Sequence, residues 1–135
     1  MNSKLKFAVG LKLALFSEMP GILGAEYRVV PDHLFGTADL ESEADCAVLD
    51  LKSNDITLLV IMGADHKKEL HRSAPSLIKK IARGDDGRVA RVILITAAIV
   101  TDAMRTEIEA EFVRIVQSNG EITKTLHVVA NRIKS

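Results

Sequence analysis

Tryptophan is absent from this chain, and aromatic residues make up only 4% of it. Proteins that hold single-stranded nucleic acid stack its bases on aromatic side chains, so this scarcity argues against such a platform. Cys46 is the single cysteine. A lone thiol forms neither an internal disulfide nor a cysteine-rich zinc site, and a reducing cytoplasm is the expected setting. Its place in an apolar run predicts a small core residue. Excess charge of one sign is also missing, since 18 basic and 18 acidic residues give a net charge of zero. Nothing in that balance favours nucleic acid as a partner. Long uninterrupted hydrophobic runs are lacking too. Lys4–Phe16 is apolar, but Lys4, Lys6 and Lys12 recur within it. It is too short and too charged to span a bilayer, and it lacks the small-residue cleavage site of a secretory leader. No membrane partner is expected. The chain also has no Gly-x-Ser-x-Gly elbow, no P-loop and no Gly-x-Gly-x-x-Gly fingerprint.

What is there fits one soluble domain spanning residues 1–135, with 47% hydrophobic and 27% charged residues. The charge is unevenly spread. Asp39, Glu41, Glu43, Asp45, Asp50 and Asp55 are opposed only by Lys52. Further on, Lys67, Lys68, Arg72, Lys79, Lys80 and Arg83 are opposed only by Glu69. This dipolar layout reads either as two solvated faces or as a metal-binding edge beside a phosphate-contacting helix.

Hydrophobic periodicity gives the elements. Lys4–Leu15 alternates at Leu5, Phe7, Val9, Leu11, Leu13 and Leu15, which favours a strand. A helical stripe of Phe7, Leu11 and Leu15 is the alternative. Met19-Pro20-Gly21 breaks what precedes it. Strands are expected at Glu26–Val30, closed by Pro31, and at Leu34–Leu40, Cys46–Lys52 and Ile56–Met62, with a polar turn at Glu41–Asp45. Ser53-Asn54-Asp55 supplies turn chemistry. A helical turn at Asp65–Leu70 and a helix capped by Ser73, with Leu77, Ile78 and Ile81 inward, come next. Gly84–Gly87 ends that helix, and Val92–Ile95 predicts a central strand. Thr101 or Asp102 caps a helix carrying Met104, Ile108, Phe112 and Ile115, closed by Ser118-Asn119-Gly120. Ile122–Ile133 alternates and predicts a last strand. The fold class is α/β or α+β, a mixed sheet of about six strands with two or three helices.

Alternate residues of a strand share a face, so Asp50 and Lys52 point the same way on a Cys46–Lys52 strand. A paired strand ending near Asp39 brings a second carboxylate beside Asp50. Two close carboxylates repel unless a cation lies between them, and an all-oxygen site suits Mg²⁺. The metal would activate a bound water and hold a phosphate, with Lys52 orienting the water or stabilising developing charge. Lys67, Lys68, Arg72, Lys79 and Lys80 are the expected phosphate contacts.

Asp39, Asp50 and Lys52, in the setting Gly36-Thr37-Ala38-Asp39 and Val48-Leu49-Asp50-Leu51-Lys52, resemble the PD-(D/E)XK nuclease superfamily. The resemblance covers Glu26 to Ser53. It implies Mg²⁺-dependent cleavage of phosphodiester bonds, with Asp50 and Lys52 catalytic and Asp39 and Asp50 on the metal. Asp32, in the literal Pro31-Asp32, competes with Asp39 for the first acidic position. The resemblance also implies a glutamate from a leading helix, supplied by Glu18 or Glu26, with Glu26 the expected third metal ligand. It implies a helix soon after the Asp-x-Lys strand.

His66 and His71 lie five apart, a spacing that turns the second ring away from a shared metal. His33 and His127 are isolated. The second class of function is a non-enzymatic α/β module acting by self-association or partner binding. The segments at the two ends would offer it edges and apolar faces, and a homo-oligomer is expected. A nuclease needs Asp39, Asp50 and Lys52 converging in an open notch, whereas an association module needs a contiguous apolar patch.

Overall fold

The computed structural model describes residues 3–31, 46–62, 89–97, 99–109 and 113–135. Among them are four helices and a five-stranded mixed sheet, a single α+β domain. Helix α1 (Ser3–Ser17) and the short α2 (Met19–Leu23) lead into β1 (Tyr27–Pro31), β2 (Cys46–Asp50) and β3 (Ile56–Met62). Strand β4 (Val89–Thr96), helix α3 (Asp102–Ile108), strand β5 (Val113–Gln117) and helix α4 (Ile122–Lys134) follow. Spatial order equals chain order. β1, β2 and β3 pair antiparallel, and β3, β4 and β5 pair parallel.

Strand alternation splits the core in two. On one face Ala47, Ile56, Leu58, Val60, Val92, Leu94, Val113 and Ile115 pack with Met104 and Ile108 of α3. On the other, Cys46, Val48, Leu59, Ile93, Ile95 and Val116 pack under α1, α2 and α4. Burying a large aliphatic side chain contributes about 1.5–3 kcal/mol. Both faces of the sheet are therefore needed, and the near-continuous apolar runs of β3 and β4 follow from double coverage.

Several expectations hold. The strand expected at Glu26–Val30 forms as Tyr27–Pro31, with Pro31 as its last residue, Ile56–Met62 forms as expected, and Val92–Ile95 lies in an interior strand. Cys46 is fully buried. Thr101 caps α3, its hydroxyl accepting from the Met104 amide at 3.2 Å. The first element does end before Met19-Pro20-Gly21, which opens α2.

Three elements differ from the sequence reading. Lys4–Leu15 is helix rather than strand. Leu, Lys and Ala are strong helix formers and dominate this segment, while Val9 is its lone β-branched residue. Ile122–Ile133 is also helix. Its buried residues, Thr125, Leu126, Val129, Ala130 and Ile133, fall at spacings of three and four. The helix beginning at Asp102 stops at Ile108, and Val113–Gln117 is a strand. Met104 and Ile108 meet the core at helical spacing, whereas Val113 and Ile115 meet it at strand spacing. Among the described residues five strands thus stand where about six were expected of the chain. The strand at Leu34–Leu40, the turn at Glu41–Asp45 and the elements expected between Asp65 and Gly87 lie outside the described residues, as does Phe112.

Candidate functional site

The β1–β2 pair places Tyr27 opposite Asp50, and Leu51 extends the pairing by donating its amide to the Glu26 carbonyl at 3.0 Å. β2 ends there. Residues 51–53 form the turn into β3, so Lys52 does not share a strand face with Asp50, a correction to the expected Cys46–Lys52 strand. The turn is built around Asp50. Its Oδ1 accepts from the backbone amides of Lys52 at 2.9 Å and Ser53 at 3.3 Å. Its carbonyl accepts from the Asn54 amide at 2.8 Å, and its own amide donates to Asp55 O at 2.9 Å. Asn54 takes a left-handed φ of 64°, a conformation that asparagine tolerates.

Lys52 reaches across the hairpin instead. Its Nζ lies 3.0 Å from Glu26 Oε1, with side-chain exposures of 74% and 62%. An exposed pair of this kind stabilises little. The amide of Lys52 holds the Asp50 carboxyl below its ordinary pKa, and the Glu26 carboxylate holds the Lys52 ammonium above its own. The structure therefore brings Glu26, Asp50 and Lys52 to one corner.

That corner is an exposed rim. Glu26 Oε1 is engaged by the Lys52 ammonium, and Asp50 Oδ1 by two amides. Among the described residues, no group of three or more His, Cys, Asp or Glu side chains gathers to hold a metal ion. A cation already stands beside Glu26, so Glu26 and Asp50 alone do not fit Mg²⁺, which takes several oxygen ligands in an octahedron. Asp39 and Asp32 lie outside the described residues. So do the basic residues Lys67, Lys68, Arg72, Lys79 and Lys80, and the histidines His33, His66 and His71. His127 is exposed on α4. A glutamate from a leading helix was also implied. α1 is such a helix, but Glu18 follows its last residue and Glu26 lies in the turn before β1. The strand that follows the Asp50–Lys52 turn is β3, where the resemblance implies a helix.

A different surface stands out on α1. Leu11, Ala14 and Leu15 are buried against the sheet and α4. On the opposite side Val9, Leu13 and Phe16 are exposed by 44%, 65% and 39%. At roughly 100° per residue these three fall along one line of the helix. The strand reading of the sequence hid this division, because it puts Val9, Leu11, Leu13 and Leu15 together on one face.

The open edge of β5 is closed to pairing at its centre. The Ile115 amide donates to Glu109 Oε2 at 3.0 Å, and Arg105 Nη1 donates to the Ile115 carbonyl at 3.1 Å. Arg105 and Glu109 also form an ion pair at 3.5 Å. Together they take the hydrogen bonds a neighbouring strand would make. No helix among the described residues is long and apolar enough to cross a membrane. No family model, curated protein or solved structure matches this chain.

Proposed function

We infer that this protein is a non-enzymatic association module, with a second copy of the chain docking on the outward face of α1. The observation that carries this reading is the line of Val9, Leu13 and Phe16, exposed on a helix whose other side is core. The edge of β5 is blocked at its centre by Arg105 and Glu109, so the apolar face of α1 rather than that edge serves association. A two-fold contact uses each residue twice. Six partly exposed side chains contribute roughly 5–9 kcal/mol when covered. Association costs roughly 4–15 kcal/mol. The most favourable balance of the two leaves about 5 kcal/mol, so the expected dimer is weak, with a dissociation constant of roughly 0.1–1 mM or above. A reducing cytoplasm suits the buried Cys46 thiol. Light scattering after size exclusion, over a series of loading concentrations, tests the reading. A mass that rises with concentration supports it, and a monomer throughout rejects it.

Mg²⁺-dependent cleavage of phosphodiester bonds is the second reading. It is favoured by the meeting of Glu26, Asp50 and Lys52 at one corner. It requires a further acidic ligand, and Asp39 is the one the resemblance implies. Incubation with DNA and RNA in Mg²⁺ or Mn²⁺, beside Asp50→Ala, tests it. Cleavage lost in the variant supports this reading. Cleavage retained in the variant, or none with either metal, ends it.

A further inference from the structure

We propose that Arg105 and Glu109 form a latch that holds a second association edge shut, and that the partner this edge fits is β5 of another copy of the chain. Among the described residues β5 is the last strand of the sheet. Along a parallel strand the backbone groups turn to alternate sides. The Ser118 amide donates to the Thr96 carbonyl at 2.7 Å, beyond the paired end of β4 and β5. Val113, Ile115 and Gln117 therefore direct their amides and carbonyls away from β4. Side chains meet the first two. Arg114 Nη1 donates to the Val113 carbonyl at 3.0 Å. At Ile115 both groups are met, the amide by Glu109 Oε2 at 3.0 Å and the carbonyl by Arg105 Nη1 at 3.1 Å. The carboxylate accepts where a neighbouring strand would present a carbonyl, and the guanidinium donates where it would present an amide.

α3 fixes this pair in place. Met104 and Ile108 anchor it in the core, the Glu109 amide donates to the Arg105 carbonyl at 2.8 Å, and the two side chains hold each other as an ion pair. The latch thus copies one residue of a missing strand. Two β5 strands related by a two-fold axis at Ile115 would run antiparallel. Each Ile115 amide would then donate to the other's carbonyl, with Val113 opposite Gln117, so the edge is complementary to itself. The closed form prevails in the wild type because its partners belong to the same chain, whereas strand pairing carries the cost of association. An edge stripped of those partners is a template for another chain. This contact is separate from the outward face of α1.

The test uses the full chain carrying Leu13→Lys, so that any α1 contact is removed from the readout. Exchanging the pair, Arg105→Glu with Glu109→Arg, keeps the net charge and the i,i+4 ion pair. It sets a cation against the Ile115 amide and a carboxylate against its carbonyl. Hydrogen exchange and sedimentation read the result, with circular dichroism confirming the fold. At low concentration the Ile115 amide should lose protection about tenfold or more. With rising concentration the mass should rise and the protection should return. Arg105→Ala with Glu109→Ala is the second variant and should behave alike. Unchanged protection of Ile115 in both variants would overturn the latch. Lost protection with a mass no greater than that of Leu13→Lys alone would overturn β5 as an association edge.

Discussion

Helices α1 and α4 lie together on the same face of the sheet, and their inward sides are alike. Leu11, Ala14 and Leu15 of one and Leu126, Val129, Ala130 and Ile133 of the other enter a shared core. Their outward sides are not alike. α4 turns Lys124, His127, Asn131 and Arg132 to solvent, with Val128 the exposed aliphatic among them. α1 presents Val9, Leu13 and Phe16, and between Phe7 and Phe16 Lys12 is its exposed polar residue. Exposed apolar side chains that share one line of a helix mark a contact surface. α1 is covered on one side, and a dimer contact would cover the other.

The largest expected effect comes from cutting into the shared core. Leu15→Ala should cost about 2–5 kcal/mol in denaturant unfolding, whereas Leu13→Ala, two residues on, should stay within about 0.5 kcal/mol at low protein concentration. Similar losses would erase the distinction between the two sides of α1. Next comes the contact between the helices. A Cβ on Gly10 would approach Ile122 Cδ1 to 2.7 Å. Gly10→Ala can be absorbed by rotation of the isoleucine, but Gly10→Leu should wedge the helices apart and cost about 1–3 kcal/mol. A smaller effect is expected at the far end of α4. Arg91 donates to the carbonyls of Arg132 and, at 3.0 Å, Ile133, satisfying the helix C-terminus from β4. Arg91→Ala should lower stability by about 1–2 kcal/mol and leave α1 self-association unchanged.

The smallest effect belongs to the exposed hairpin corner. The Asp50 carboxyl is held below its ordinary value by the Lys52 amide, so its contribution is complete above the unfolded pKa and fades as pH falls through the lowered folded one. The Lys52 ammonium is held above its ordinary value by Glu26, so its contribution is complete below the unfolded pKa and is lost as pH rises through the raised one. Asp50→Asn keeps the turn's acceptor and should remove the acid-side dependence. An unchanged acid limb of the stability curve in that variant would assign the limb to other groups.

Strands were legible wherever packing on both faces makes the sequence a continuous apolar run, as in Ile56–Met62 and Val92–Ile95. The Thr101 cap was legible because its chemistry is local. α1 was not, because residues apolar on every side satisfy a period of two as readily as one of 3.6. The change from Ile108 to Val113 was missed because Met104, Ile108 and Ile115 can be joined into one stripe when the intervening turn is ignored. At the candidate site the turn at Ser53-Asn54-Asp55 was legible. Two things depend on pairing across the hairpin and were not: that Asp50 anchors this turn, and that Glu26 meets Lys52.

Sedimentation equilibrium of three proteins bears most directly on the role of α1: the wild type, Leu13→Lys, and Val128→Lys as the matching change on α4. The wild type and Val128→Lys should rise above the 14.7 kDa monomer with increasing concentration, while Leu13→Lys stays monomeric with unchanged circular dichroism. A wild type that remains monomeric, or a Leu13→Lys variant that associates as well as the wild type, would contradict the assignment of α1 as the contact surface.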